Sequence, residues 1–257
     1  MKIQRTILPE LRQLLREYPV VTILGPRQAG KTTLARDFLE GYGYTNLEDP
    51  ENREIASSDP KAFLAALPEK AIIDEIQRAP ELLSYIQVAV DEHPGNGRFV
   101  LTGSHQLSLR EAISQSLAGR TALLHLLPLS IAELASTGTV DQDFEALAYT
   151  GFLPRVHQQS QRPDRAYANY YQTYVERDVR QLIQLKDASL FEKTLKLLAG
   201  RTGQIVDYSS LANDVGVDAK TIRNYLIYNG SSRSLSEQTQ ALNFREIHSV
   251  FAPETDA

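Results

Sequence analysis

Residues 25–32 read Gly-Pro-Arg-Gln-Ala-Gly-Lys-Thr, which is the G-x-x-x-x-G-K-[ST] pattern of a phosphate-binding loop. An apolar run typical of a strand precedes the loop at residues 20–24, and a helix-like run follows it at residues 33–39. In this setting Gly25 and Gly30 would let the backbone turn, so that its N–H groups and the following helix N-terminus cradle phosphate oxygens. The stretch therefore predicts that the chain binds a nucleoside triphosphate.

The predicted nucleotide site covers the loop and the residue after it: Gly25, Pro26, Arg27, Gln28, Ala29, Gly30, Lys31, Thr32 and Thr33. Lys31 is expected to reach the β- and γ-phosphates, and Thr32 the magnesium ion. No Asn-Lys-x-Asp motif for reading guanine occurs in the chain, which argues against a GTPase. The expected cofactors are therefore ATP and Mg²⁺.

Two acids follow a second apolar run, Ala-Ile-Ile at residues 71–73. Asp74 is placed to hold the magnesium ion, directly or through water, and Glu75 to polarise the water that attacks the γ-phosphate. Water activation is needed by a hydrolase and not by a small-molecule kinase, so the pair favours an ATPase. The alternative interpretation is a strand that ends in two solvated acids.

Polar residues near two further apolar runs are candidates for contacting the γ-phosphate. The run at residues 98–101 leads into Thr102-Gly103-Ser104, and Thr102 or Ser104 could sense this phosphate if the strand lies between the loop strand and the acidic strand. An ordinary strand-terminal turn would look the same. Arg120 precedes an apolar run and is a candidate arginine finger or γ-phosphate contact, against the alternative of a solvated arginine.

The order of elements predicts an α/β P-loop NTPase core, a parallel sheet with helices on both faces, over residues 20–135. An entry helix is expected before it, a second strand at residues 44–47, and one helix at residues 53–67 around Pro60. Parallel strands present ligands at their carboxyl ends. The phosphate loop, Asp74, Glu75 and Ser104 are therefore expected at one edge of the sheet.

From Asp141 onward the pattern is helical, with helices expected at 144–149, 166–185 and 189–199. Tyrosines at positions 167, 170, 171 and 174 follow helical spacing, which favours core packing over a base-stacking platform. Residues 211–226 show a helix-turn-helix pattern whose second helix begins near Asp218. The section is expected to be all-α and helix-turn-helix or winged-helix-like.

The helix-turn-helix pattern supports a different hypothesis, a DNA-binding regulator that uses ATP as a switch. Its second helix would expose Lys220, Arg223 and Asn224. Two cations are few for a helix that contacts DNA phosphates, and the net charge of −5 argues against general DNA coating. DNA therefore stays an alternative partner, to be tested by a salt-dependent shift of labelled duplex.

Composition indicates a cytoplasmic protein without membrane contact. The 257 residues include no cysteine, which excludes disulfides and thiolate chemistry. The charged start lacks the apolar core of a signal peptide, and no stretch reaches 18 apolar residues.

Seven segments, in order, resemble prokaryotic AAA-like ATPases known only as ATP-binding proteins: GPRQAGKTTLAR, AIIDEIQRAPELLSYIQ, FVLTGS, SLAGRTALLHLLPLSIAEL, GFLPRV, YVERDVRQL and LANDVGVDAKTIRNYL. The resemblance covers residues 7–226. It implies an ATPase core similar to that of signal-transduction ATPases, a helical and winged-helix section, and a further C-terminal domain of nuclease-like ancestry.

The resemblance also implies functional residues. Residues 25–33 would bind the nucleotide, Asp74 would hold magnesium, and Glu75 would activate water. The resemblance also implies γ-phosphate sensing near Ser104, and it matches Arg120 to the arginine of an AGRT segment. Gly151 and Pro154 resemble a Gly-Phe-Pro element, with Leu153 inserted before the proline. The expected function is ATP hydrolysis coupled to rearrangement of the helical section, with an unknown target. Self-association is open, because Arg120 could act within its own subunit or on a neighbour.

Three segments are expected: an ATPase domain at 1–140, a helical and helix-turn-helix section at 141–227, and a polar tail at 228–257. The resemblance stops after Leu226, and the tail is polar and without periodic apolar content. We expect the tail to be disordered or out of frame and to replace the C-terminal domain, leaving a poorly active family member. A naturally short member, with Asn229-Gly230 as the turn of a small wing, is the alternative.

Overall fold

The structure is a computed structural model that describes residues 3–104, 107–138, 144–173, 188–201 and 204–228. The chain divides into two compact units between Thr137 and Gly138. The predicted tail beyond Tyr228, and the part of the predicted 166–185 helix beyond Thr173, lie outside the described residues.

The first unit is built on a five-stranded sheet. The strands are β1 (Val20–Gly25), β2 (Gly43–Asn46), β3 (Ala71–Asp74), β4 (Phe99–Ser104) and β5 (Thr121–His125). Their order is β2-β3-β4-β1-β5, and every described pair is parallel. The predicted α/β core is confirmed. Strand β4 lies between the loop strand and the acidic strand, as the γ-phosphate-sensing hypothesis requires.

Seven helices connect and flank the strands in the described part of this unit. They are α1 (Leu8–Glu17), α2 (Lys31–Phe38), α3 (Pro50–Ser58), α4 (Pro60–Ala66), α5 (Leu82–Glu92), α6 (Leu107–Ser116) and α7 (Ile131–Ala135). The single helix predicted at residues 53–67 is wrong. Asp49 and Asp59 each accept a backbone N–H, from Glu51 and Ala62, and thereby cap two separate helices that each begin with proline.

Two apolar clusters cover the two faces of the sheet. On one face α3 to α6 pack on side chains that include Leu24, Ile73 and Leu101. On the other face α1 and α2 pack on side chains that include Ile23 and Val100. All six residues of β1 are buried, as expected for a central parallel strand. The rigid sheet therefore fixes the positions at which its carboxyl-terminal edge presents polar residues.

The second unit is helical in its described residues. Its helices are α8 (Phe144–Thr150), α9 (Pro154–Gln159), α10 (Pro163–Tyr170), α11 (Ala188–Ala199), α12 (Tyr208–Val215) and α13 (Ala219–Tyr228). Helices α11 to α13 share one core, in which the Phe191 and Tyr225 rings meet edge to face at 5.2 Å. Gly216, at φ 92°, ends α12, and Asp218 accepts the Thr221 N–H at 2.8 Å to cap α13. The predicted helix-turn-helix pair is present.

The Gly151 turn is built around Tyr167. Tyr167 is fully buried and its hydroxyl donates to the carbonyl of Thr150 at 3.1 Å. Gly151 adopts φ 64°, and a Cβ at this position would overlap the Tyr167 hydroxyl. The position therefore requires glycine for both its conformation and its packing. Tyr167 supports core packing for the predicted tyrosine face, whereas Tyr174 lies outside the described residues.

Candidate nucleotide site

The phosphate loop joins β1 to α2 through two left-handed residues. Gln28 adopts φ 61° and Gly30 adopts φ 91°, directly before α2 begins at Lys31. The first turn of α2 therefore directs free backbone N–H groups toward the loop, which is the arrangement that binds phosphate oxygens. Of the other predicted contacts in this region, Pro26 and Arg27 are half-buried, Ala29 is buried, and Thr33 is exposed.

Gly25 has a different role from the one expected of it. The residue is the last of β1 and is not among the glycines with positive φ, so the turn does not depend on its conformational freedom. A Cβ at this position would overlap the backbone carbonyl of Leu126, whose own N–H donates to the Leu24 carbonyl at 2.8 Å. Glycine is required here because the chain that leaves β5 passes against the loop.

The Lys31 ammonium group lies inside the loop. It donates to the carbonyls of Gly25 at 3.0 Å and Pro26 at 2.8 Å, and the residue is 5% exposed. Burial lowers the pKa of Lys31, while the nearby carboxylates of Glu75 and Asp74 oppose that shift. A buried cation whose described hydrogen bonds go to carbonyl oxygens is suited to an anionic ligand.

Asp74 is the centre of a hydroxyl cluster at the carboxyl end of β3. Its Oδ2 accepts hydrogen bonds from Thr32 at 2.9 Å and from Tyr44 at 2.8 Å, and its Oδ1 accepts one from Thr102. The side chain is 3% exposed. Thr32 comes from the start of α2, so the phosphate loop and the acidic strand meet at this carboxylate, as the sequence predicted.

Glu75 follows in a left-handed conformation, at φ 60° and ψ 46°. Its backbone N–H donates to the Thr102 hydroxyl at 3.3 Å, and its carboxylate accepts a hydrogen bond from the Gln77 amide. Left-handed backbone is uncommon for a residue other than glycine and is found at functional sites. The geometry turns Glu75 away from the line of β3, directly after Asp74.

Ser104 and Thr102 differ in what their hydroxyl groups contact. The Thr102 hydroxyl donates to the Asp74 carboxylate and accepts the Glu75 N–H. Ser104 pairs in register with Gly25, and its buried hydroxyl has no hydrogen-bond partner among the described residues. Of the two sensing candidates, Ser104 alone has a side chain with unmet hydrogen bonds next to the loop.

Arg120 lies at the opposite edge of the sheet. Its carbonyl accepts the N–H of Val20, the first residue of β1, whereas the loop begins at the last residue of that strand. At about 3.3 Å per strand residue, the two edges are roughly 16 Å apart. The Arg120 guanidinium binds both carboxylate oxygens of Asp91, at 2.6 and 2.8 Å. The structure therefore does not bring Arg120 together with the loop of its own subunit.

Sequence reasoning missed Arg5, which contacts the phosphate loop from the start of the chain. Its guanidinium donates to the carbonyls of Ala29 at 2.8 Å and Leu127 at 2.6 Å, and pairs with Glu133 at 3.1 Å. Arg5 and Glu133 are both buried. A sequence signal existed on the Glu133 side only, because Ser130 and Glu133 form a capping box at the start of α7.

Tyr44 was also missed as a site residue. Burial, followed by its hydrogen bond to Asp74, raises the pKa of the Tyr44 hydroxyl. The Arg36 guanidinium lies 5.3 Å from the centre of its ring. Nothing in the strand pattern distinguishes this tyrosine from an ordinary β-strand aromatic, since its contact depends on how β2 pairs with β3.

The residues present fit a magnesium ion. Magnesium in nucleotide sites is bound by one or two protein oxygens together with phosphates and water. The Thr32 hydroxyl and the Asp74 carboxylate supply such a pair. Their oxygen atoms are 2.9 Å apart, and Thr32 directly follows Lys31 of the phosphate loop. Within the described residues no group of three or more His, Cys, Asp or Glu side chains could hold a metal ion by itself.

Other predicted features lie away from this site. Lys220, Arg223 and Asn224 are exposed on α13. In the part of the chain that the structure describes, no helix is long and apolar enough to cross a membrane.

The fold and the site define an AAA-like P-loop ATPase domain. Residues 17–135 match the family described as an AAA domain, and residues 141–228 match a domain of unknown function. Residues 17–135 of this chain therefore belong to the AAA-like P-loop ATPase family.

The chain is also similar to two relatives and to a solved structure. An uncharacterized protein of Mycobacterium tuberculosis is 34% identical over 228 residues, which cover 87% of this chain and 50% of the relative. An uncharacterized protein of Haemophilus influenzae is 24% identical, covering 81% of this chain and 58% of the relative. The chain thus spans about half the length of the curated relatives it matches. The Walker-type ATPase of Pyrococcus abyssi shares the fold, with a TM-score of 0.55 at 18% identity over 96% of this chain and 90% of that one.

Proposed function

We propose that this protein binds ATP with Mg²⁺ and hydrolyses it, and that the nucleotide state changes the conformation of the helical section. The observation that carries the proposal is the contact between Thr32 and Asp74. These residues lie 42 positions apart in sequence and meet at 2.9 Å, beside a buried lysine and a left-handed glutamate.

Each residue has a separate role in the proposal. Backbone N–H groups of the loop and of the first turn of α2 cradle the phosphates, and Lys31 exchanges its carbonyl partners for the β- and γ-phosphate oxygens. Thr32 and Asp74 hold the magnesium ion, which when bound neutralises charge on the phosphates. Ser104 donates its unpaired hydroxyl to a γ-phosphate oxygen.

Glu75 activates the attacking water. Its carboxylate accepts a proton from the water as the oxygen forms a bond to the γ-phosphorus and the bond to the β–γ bridging oxygen breaks. The left-handed backbone of Glu75 supports this role, since such backbone is uncommon for a residue other than glycine and occurs at functional sites.

Arg120 acts on a neighbouring subunit in this proposal. Its place at the amino edge of the sheet puts it roughly 16 Å from the loop of its own chain, so action on that nucleotide would need a large rearrangement. Self-association that brings Arg120 to the carboxyl edge of a second copy would supply a cation to the γ-phosphate.

DNA binding by α13 remains the alternative. The helix pair exists, and three aspartates lie on it or at its helix starts. Asp214 pairs with Arg201, and Asp207 and Asp218 cap the two helices. The described cations on α13 are Lys220 and Arg223, which are few for a helix that contacts DNA phosphates.

ATP turnover by the purified chain tests the proposal. We expect Mg²⁺-dependent phosphate release from the wild type. Lys31→Ala should abolish nucleotide affinity, and Glu75→Gln should keep binding and lose turnover. Lys61→Ala and Glu81→Gln, both at exposed positions, are the matched controls. Absence of turnover in the wild type would reject hydrolysis, and a wild-type rate in Glu75→Gln would reject the role of Glu75.

Limited proteolysis tests the conformational part. We expect cleavage after residue 138 to change when ATP is added to the wild type but not when it is added to Lys31→Ala. An identical cleavage pattern with and without ATP would contradict the coupling.

A further inference from the structure

Gln77 lies two residues after Glu75, in the short 3₁₀ helix Ile76–Arg78. Its side-chain amide donates a hydrogen bond to the Glu75 carboxylate. An ionised carboxylate can only accept hydrogen bonds, so the chemistry requires the amide nitrogen to face Glu75 and the amide oxygen to face away. The orientation of the Gln77 amide is therefore determined by its partner.

The oxygen end of the same amide is packed against β4. Gln77 Oε1 is buried and has no hydrogen-bond partner among the described residues. A Cβ on Gly103 would lie 2.9 Å from this oxygen and 2.5 Å from Leu109 Cδ2. The amide and the Leu109 side chain thus occupy the space that a side chain at position 103 would need.

An unpaired buried acceptor is rare, because such groups almost always have a partner. The unmet hydrogen bonding of Gln77 Oε1 is therefore a feature that needs an explanation. The opposite end of the same amide contacts the acid proposed to activate water.

Glu75 is consequently held at two points. The Thr102 hydroxyl binds its backbone N–H, and Gln77 binds its carboxylate. The bond from Gln77 is the hydrogen bond that the described residues provide to the Glu75 carboxylate. Catalytic groups act efficiently only when packing and hydrogen bonds hold them within a narrow range of angles.

We propose that Gln77 is a positioning residue for hydrolysis, which orients the Glu75 carboxylate toward the attacking water and contacts neither the nucleotide nor the water itself. This inference rests on the proposed function, because it acts through the role assigned to Glu75.

Gln77→Met tests the inference, because methionine has a similar length and no group that donates to a carboxylate. We expect kcat to fall about tenfold or more, with KM for ATP and the nucleotide Kd within about twofold of the wild type. Gln87→Met, at a partly buried position on α5, is the matched control and should keep the wild-type kcat. If Gln77→Met fails to fold, Gln77→Asn, whose amide is one methylene short of the carboxylate, carries the same expectation.

A double-mutant cycle distinguishes positioning from a general structural effect. Glu75→Gln should retain a slow residual rate that long single-turnover incubations measure, and Gln77→Met in that background should cause no further loss, because the group it orients is already gone. A further loss as large as that in the wild-type background would overturn the inference. So would a wild-type kcat, or an increased one, in Gln77→Met. A wild type without turnover would reject the proposed function and this inference together, whereas an active wild type with an unaffected Gln77→Met would reject the inference alone.

Discussion

Arg120 and Asp91 form a two-point ion pair at the amino edge of the sheet. The guanidinium Nε and one terminal nitrogen bind the two carboxylate oxygens at 2.6 and 2.8 Å. The hydrogen bond from Arg120 lowers the pKa of Asp91. Asp91 belongs to α5 and Arg120 to the turn before β5, so the pair holds the arginine at a partly exposed position facing away from the loop of its own chain.

The first prediction concerns this arginine. Arg120→Ala should reduce turnover by about a thousandfold while nucleotide affinity changes little, because an arginine finger acts on transition-state charge. Mixing Arg120→Ala with Lys31→Ala should restore part of the activity, since one mixed interface then has both an intact loop and an intact arginine. Asp91→Asn is the control for loss of the ion pair. No recovery at any mixing ratio would contradict action between subunits.

The second prediction concerns Thr102. Thr102→Val removes a donor to Asp74 and leaves the Glu75 N–H without its acceptor, so we expect a loss of about 1–3 kcal/mol in unfolding free energy. Turnover should fall as well, because Glu75 loses the contact that fixes its backbone. Urea denaturation and phosphate release measure the two effects.

Thr22→Val is the matched control for that change. Thr22 is equally buried, on β1, and its hydroxyl pairs with that of Thr121 at 3.0 Å. We expect it to change stability and leave turnover unaltered. Equal effects of the two substitutions on turnover would show that Thr102 has no special relation to the site.

The third prediction concerns the buried pair Arg5 and Glu133. Burial alone would raise the pKa of Glu133, but hydrogen bonds from the N–H groups of Ser130 and Thr6, together with Arg5, lower it below its ordinary value of 4.5. A carboxyl with a lowered pKa in the folded state adds stability that is fully present above its unfolded pKa. That stability is lost as the pH falls through the folded pKa.

Glu133→Gln should therefore destabilise the protein by about 3 kcal/mol at pH 7, because it leaves Arg5 buried without its counter-charge. The difference from the wild type should shrink below pH 4.5. Urea unfolding between pH 7 and pH 3 measures both, with the exposed Glu10→Gln as control. A difference that does not vary with pH would contradict the linkage.

The fourth prediction concerns the second unit. Gly151→Ala should cost about 2–4 kcal/mol, because alanine is strained at φ 64° and its Cβ would overlap the Tyr167 hydroxyl. Tyr167→Phe removes the bond to the Thr150 carbonyl and should cost about 1 kcal/mol. The double variant should lose less than the sum, since the hydroxyl that causes part of the overlap is absent. Additive losses in thermal or urea unfolding would rule out this steric explanation.

The sequence predicted most of the sheet and its order of motifs because these follow from local patterns. An apolar run, a glycine-rich loop and a helix identify β1 and α2 without tertiary information. The Asp49-Pro50 and Asp59-Pro60 pairs are both readable as helix starts, and the prediction of one helix at residues 53–67 uses neither.

The site's connecting residues could not be predicted in this way. Arg5, Tyr44 and Gln77 acquire their contacts only when distant segments are packed together, and their types and spacing do not differ from those of ordinary surface residues. The place of Arg120 depends on strand pairing, since it follows from the register of β1 and β5. The sequence does not decide between Thr102 and Ser104 as the γ-phosphate sensor, whereas their hydrogen bonds in the structure distinguish the two residues.

The two capped helices α3 and α4 have a practical consequence. They connect β2 to β3 across the face opposite α2, and none of their residues contributes a described contact to Lys31 or Asp74. Their junction, Ser58-Asp59, is exposed. A fluorescent label or a small foreign domain inserted there should leave the nucleotide site assembled, because insertions are best tolerated at exposed turns. The junction is therefore a place from which motions of the protein during a catalytic cycle could be followed optically.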